Sequence, residues 1–117
     1  MTEATLSLQV RRSGEAACIL DIEGDITAFS EEALMDAYTE GAGDGVKAVI
    51  LNFIGLEYMN SGGIGLLVTV LVRANRAKQK LLAFGLTEHY QEIFELTRLD
   101  EAIGIYATEA DALAAAA

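Results

Sequence analysis

Ser61 is the residue in this chain whose surroundings leave a hydroxyl open to chemistry. It lies within Glu57-Tyr-Met-Asn-Ser-Gly-Gly-Ile-Gly-Leu-Leu-Val-Thr-Val-Leu-Val-Arg73, between an apolar strand and an apolar helix. By position alone it reads as an N-cap whose hydroxyl accepts an orphan backbone N–H of the first turn. The glycines that follow argue for more. Gly62, Gly63 and Gly65 occupy the first turn, where each disfavours helix by about 1 kcal/mol relative to alanine. They leave the serine unshielded, so that another backbone or an enzyme's active site can come close.

Other catalytic equipment is sparse. The single histidine, His89, falls in the first turn of a polar-faced helix and is expected to be exposed, with no second histidine or cysteine to share a metal. The single cysteine, Cys18, sits in Ala16-Ala-Cys-Ile-Leu20 and reads as a small buried hydrophobe. Ser61 lacks a Gly-x-Ser-x-Gly elbow, because Met59 stands two residues before it. Gly62-Gly-Ile-Gly65 is followed by no Gly-Lys-Ser/Thr, and Val68 replaces the third glycine of a dinucleotide loop. These residues predict no turnover, no metal and no cofactor.

The elements that position Ser61 follow from hydrophobic period. Thr5–Arg11 alternates as a half-buried strand, Arg12–Glu15 reads as a hairpin turn, and Ala16–Ile22 as the antiparallel partner. Gly24–Thr27 reads as a loop. Ser30 is expected to cap a helix with Ala33, Leu34, Ala37 and Tyr38 inward, ended by Gly41–Gly45. Ala48–Phe53 is a continuous apolar run, as in a strand buried on both faces. Ile54–Asn60 reads as a loop, and Ile64, Leu67, Val68, Leu71 and Val72 recur at helical spacing after it. Leu81–Leu86 is another buried strand. Thr87 caps a helix with Tyr90, Ile93, Phe94 and Leu96 inward; Ile103–Tyr106 is a short strand; Thr108 with Asp111 resembles a capping box opening an alanine-rich helix.

The order β-β-α-β-α-β-α-β-α predicts an α/β fold: a single mixed, largely parallel sheet with an N-terminal antiparallel hairpin and covering helices. In such sheets sites gather at the C-terminal strand ends, where Gly24–Thr27 and Leu56–Ser61 both emerge. At about 100° per residue, Ile64, Leu67, Val68, Leu71 and Asn75 share one face of the serine helix, with Gly62, Gly65, Leu66, Thr69, Val70 and Arg73 across from it. That second face is still apolar, and is either buried by another helix or a docking strip that begins at Ser61.

The 117 residues suffice for one domain with a real core, so residues 1–117 read as a single unit. The longest apolar segment, Ile64–Val72, is far too short for a membrane span. The N-terminus, Met-Thr-Glu-Ala, lacks a signal-peptide layout, and a cytoplasmic location is expected. A net charge of −10 argues against nucleic acid or an anionic membrane as partner. Between Asp21 and Asp44 lie eight acidic residues and no basic one; this block is either solvated surface or a docking surface for a basic partner. Arg73, Arg76, Lys78 and Lys80 gather where the long helix ends, complementing its dipole.

Tyr58-Met-Asn-Ser-Gly-Gly-Ile-Gly65, preceded by Val49-Ile-Leu-Asn-Phe53 and followed by an apolar helix, resembles the signature of the STAS domain. It is most similar to that of bacterial anti-sigma-factor antagonists, roughly Phe-Met-Asp-Ser-Ser-Gly-Leu-Gly. Gly24-Asp-Ile-Thr-Ala28 resembles the family's Gly-Glu-Leu-Asp segment, and Phe94-Glu-Leu-Thr-Arg-Leu99 its Phe-x-x-(Ser/Thr)-x-Leu pattern. Asn60 and Thr27 stand where the family often has aspartate, and Gly62 replaces a second serine, leaving Ser61 as the motif's one hydroxyl acceptor.

The resemblance implies a partner switch. Ser61 would be phosphorylated by an anti-sigma factor that is also a serine kinase. The unphosphorylated protein would capture that kinase, and a metal-dependent serine phosphatase would reset it. Partner contacts are then expected from Gly24, Asp25, Thr27, Asn60, Gly62, Gly65, Leu66, Thr69 and Arg73. The alternatives are a stressosome-like or transporter-associated STAS scaffold subunit, and a module sensing a nucleotide or anion at the helix N-terminus. A homodimer through the apolar strip is left open.

Overall fold

Eight residues of alternating burial, β1 (Leu6–Ser13), pair antiparallel with β2 (Ala17–Ile26) from Leu6 opposite Gly24 to Ser13 opposite Ala17. The hairpin turns at Gly14, whose φ of +68° is left-handed and favours glycine. This is a computed structural model that describes residues 6–43 and 45–117. The expected first residues, through Thr5, and Asp44 of the acidic block lie outside the described residues. One 3₁₀ turn (Ala28–Ser30) leads into α1 (Glu31–Gly41), followed by β3 (Ala48–Met59), α2 (Ser61–Arg76), β4 (Lys80–Phe84) and α3 (Glu88–Leu96). A second 3₁₀ turn (Leu99–Glu101), β5 (Gly104–Tyr106) and α4 (Glu109–Ala116) complete the chain.

The sheet runs in the order β1-β2-β3-β4-β5, and every pair after the hairpin is parallel. Strict strand–helix alternation gives this arrangement, since parallel neighbours need crossovers. Period-two side chains divide the central strands between two cores. Leu20, Val49, Leu51, Phe53 and Ala83 meet Leu34, Tyr38, Leu67, Val70 and Phe94 of α1, α2 and α3. The rings of Phe53 and Phe94 stand edge to face with centroids 6.2 Å apart. Ile19, Ala48, Ile50, Leu82 and Phe84 face the other way, under Ala112 of α4.

Several boundaries differ from the sequence expectation. The segments 24–26 and 54–59 are strand, not loop: β3 outruns β4 and pairs with β2 alone, with Asp25 opposite Tyr58 and Ile26 opposite Met59. This ribbon overhangs the sheet, so it lacks the continuous apolar run that marked its buried half. Ser30 is the N-cap residue of α1, as expected, but its side chain makes no cap bond to that helix; Thr27 caps the 3₁₀ turn before it. Phe29 N donates to Thr27 Oγ1 at 3.2 Å and Thr27 N to Ser30 Oγ at 3.0 Å. Ala33 and Leu96 are exposed, because α1 and α3 each present a narrower stripe to the sheet than the pattern suggests. Thr87 precedes α3 without a side-chain cap bond, whereas Thr108 Oγ1 accepts from Asp111 N at 3.1 Å.

Beyond α4 the second face of the sheet turns polar. Arg11 Nη2 donates to Asp21 Oδ1 at 2.8 Å and to Glu109 Oε1 at 2.7 Å, and Asn52 Nδ2 donates to Asp21 Oδ1 at 2.7 Å. The Arg11 bond, with help from Asn52, holds the Asp21 carboxyl below its ordinary value against the opposing effect of partial burial. A depressed carboxyl stabilises the fold above its unfolded pKa, about 3.9, and that contribution is lost as pH falls through the lower folded value. Arg11 is 42% exposed, so water screens the pair and the contribution is about 1 kcal/mol. Asp21→Asn is therefore expected to melt below wild type at neutral pH, with the difference shrinking as pH falls below the ordinary carboxylate range; melting curves across pH check this.

Candidate functional site

The β2–β3 ribbon delivers Ser61 to solvent at the start of α2. Asn60, still extended at φ −102° and ψ −175°, is the N-cap: its Oδ1 accepts from Gly63 N at 2.9 Å. Ser61 is the first helical residue, one place further in than a capping serine, and its side chain is free of that duty. Asn60 is the cap because its backbone is still extended, whereas Ser61 already belongs to the helix. The ribbon end is fixed from three sides. Asn60 N donates to Ile26 O at 3.3 Å, Ile64 N to Asn60 O at 3.0 Å, and Met59 N to the Tyr90 hydroxyl of α3 at 2.9 Å.

The glycines divide into two kinds. A Cβ on Gly62 would stand 2.9 Å from Ala28 N, and one on Gly63 would enter the Ile26 carbonyl, 2.8 Å from its carbon and 2.9 Å from Met59 Cγ. Those two exist for close approach: the helix start rests directly on the end of β2 and the turn after it. Gly65 has nothing within 4 Å of such a Cβ and lies open on the outer surface of α2. Among the described residues the amides of Ser61 and Gly62 have no acceptor, since the cap takes Gly63 N. They are free donors at the positive end of the helix dipole.

Not all expected contact residues assemble here. Asp25 and Gly24 lie half-buried in the ribbon, Thr27 is buried in its own cap, and Asn60 and Gly62 flank the serine. Gly65 and Thr69 are exposed, with Thr69 Oγ1 bonded to Gly65 O at 3.2 Å. Leu66 is only 8% exposed and packs into the core, as does Val70, while Val68 and Val72 face solvent. The outward line of α2 is therefore Ser61, Gly65, Val68 and Val72. The expected faces are rotated because α2 rests on the sheet through Gly63, Leu66, Leu67, Val70 and Ala74. Arg73 is about 18 Å along the helix axis from Ser61 and stacks over the Tyr38 ring at 5.3 Å.

The sequence reading missed Phe29. It is 94% exposed on the 3₁₀ turn that abuts Gly62 through Ala28. An aromatic between an alanine and a serine, just ahead of Glu31 and Glu32, belongs to no periodic stripe; that isolation was its only signal. Cys18 is fully buried, and desolvation pushes its thiol up to about 11, away from reactivity. His89 is exposed. Among the described residues no group of three metal-binding side chains forms, and no helix is long and apolar enough to cross a membrane.

A mixed sheet in this strand order, offering one serine at the mouth of its longest helix, describes a STAS-type α/β domain. The chain belongs to the STAS domain family, whose family model matches residues 7–112. An anti-sigma-B factor antagonist of Staphylococcus aureus is 26% identical over 80 residues, covering 68% of this chain and 74% of the relative. An anti-sigma factor antagonist from Mycobacterium paratuberculosis superposes with a TM-score of 0.82 at 20% identity, covering 96% of this chain and 94% of that one. The Bacillus cell fate determinant SpoIIAA is also similar. Its unphosphorylated form has a TM-score of 0.73 at 16% identity, covering 93% of this chain and 96% of that one. Its phosphorylated form has 0.68 at 18%, covering 93% and 98%. At these identities the structural likenesses speak for the fold.

Proposed function

We propose that this chain is an anti-sigma-factor antagonist whose hold on its partner is set by phosphorylation of Ser61. The partner is an anti-sigma factor that is also a serine kinase. It binds the antagonist while Ser61 carries its hydroxyl, then transfers the γ-phosphoryl group of ATP to Ser61 Oγ; the hydroxyl proton leaves and ADP is released. A metal-dependent serine phosphatase hydrolyses the ester and restores the hydroxyl. Residues 1–117 act as one regulatory unit in the cytoplasm, with no catalytic group or cofactor of their own.

One observation carries this reading: an exposed serine in the first turn of α2, relieved of capping by Asn60 and standing beside two amides without acceptors. A phosphate there adds about −1.5 to −2 charges at a helix end that favours an anion by about 0.3–1 kcal/mol. The modified protein stays folded, so phosphorylation acts on docking. The relatives named as antagonists support the same assignment.

Intact mass after incubation with magnesium-ATP and each serine-kinase anti-sigma factor of the same genome tests it. Gain of one phosphoryl group is expected for wild type and none for Ser61→Ala. No gain with any of these kinases, or equal gain in the variant, overturns the assignment of Ser61.

A further inference from the structure

We propose that Phe29 is the anchor by which this surface holds its partner, and that the partner offers an apolar socket ringed by lysine and arginine. The inference rests on the partner-switch reading and adds the chemistry of the other side. At 94% Phe29 is the most exposed large apolar side chain among the described residues. Its backbone is nevertheless tightly held. Thr27 and Ser30 exchange cap hydrogen bonds, Ser30 N donates to Thr27 O at 2.9 Å, and Ser30 Oγ donates to Asp25 O at 3.3 Å. The turn itself is seated against Gly62. A large aromatic on a pre-ordered turn has little entropy left to lose, which is the character of an interface hot spot.

The surroundings of Phe29 give it a sign. Tyr58 is half exposed at the ribbon end, and Val68 and Val72 follow along α2. Asp25, Glu31 and Glu32 flank Phe29 along the chain, and no basic residue lies on β2, the 3₁₀ turn or α1; among the described residues the one cation stacked on α1 is Arg73, over Tyr38, about 18 Å along α2 from Ser61. A second copy presenting the same surface about a two-fold axis would be repelled. The complement is an apolar floor with a cationic rim: the floor governs dissociation and the rim speeds encounter.

Association and dissociation rates of the full chain with the serine-kinase anti-sigma factors separate these parts. Phe29→Ala is expected to bind about thirtyfold more weakly, through faster dissociation, with an unchanged melting temperature; Phe29→Leu should recover most of the loss. Glu31→Gln with Glu32→Gln is expected to slow association and flatten its dependence on salt. If wild type binds and Phe29→Ala binds within about threefold of it, the anchor is wrong and the switch stands. If association quickens with salt, the cationic rim is wrong. If wild type binds none of these kinases, the switch reading falls and the partner falls with it. A wild-type dimer that Phe29→Ala dissolves would seat a second copy in place of the kinase and overturn the proposal.

Discussion

Replacing Gly63 with alanine is expected to lower the thermal midpoint by roughly 12 °C. The added methyl group would enter the Ile26 carbonyl, with Met59 Cγ 2.9 Å away. That carbonyl accepts from Asn60 N at 3.3 Å, so it cannot retreat without opening the junction that holds the serine. Overpacking costs about 1–3 kcal/mol where side chains adjust, and the upper figure applies because the obstacle is backbone. Alanine's helix preference returns about 1 kcal/mol of this, and steric overlap outweighs it. With 4–8 °C per kcal/mol for about 100 residues, the net loss of about 2 kcal/mol gives roughly 12 °C. Gly65→Ala is the control: with open space around it, propensity acts alone and the protein should melt slightly higher. Melting followed by circular dichroism decides the pair, and equal midpoints for Gly63→Ala and wild type would contradict the close approach.

Ser61→Asp is expected to bind the kinase at least about a hundredfold more weakly than wild type, with Ser61→Ala close to wild type. The comparison isolates charge from loss of the hydroxyl. An unmatched interface charge costs several kcal/mol, and about 3 kcal/mol corresponds to a hundredfold in affinity. A cationic rim on the partner does not rescue the variant. On the proposed partner the carboxylate at the head of α2 would meet the apolar floor, where its water must be removed without a cation to replace it. Isothermal titration calorimetry gives the answer directly. Ser61→Asp bound as tightly as wild type would remove the charge switch from the mechanism.

Much of this fold is legible from hydrophobic period. Ala48–Phe53 and Leu81–Phe84 are buried on both faces and read as continuous apolar runs, so the parallel centre and the order of elements follow. The β2–β3 overhang does not read this way, because Gly24, Asp25, Gly55 and Glu57 pair through backbone while their side chains look like loop. Position along the chain correctly places Ser61 at a strand-to-helix junction. Deciding between Asn60 and Ser61 as cap required the extended backbone at Asn60. The helix faces were misjudged because Val68 and Leu66 are equally apolar, and only packing against the sheet says which one is covered. Gly63 and Gly65 look alike in sequence; one is a contact and the other open space.

The junction at Ser61 is built almost wholly from main chain: the Ile26 carbonyl, the Asn60 amide, and glycines where side chains would intrude. Phe29, Val68 and Val72, by contrast, face solvent. Those outward residues can therefore change one at a time without disturbing the main-chain junction that holds Ser61. Under the proposed switch, duplicated copies would diverge in partner by surface changes alone, each keeping the same serine junction.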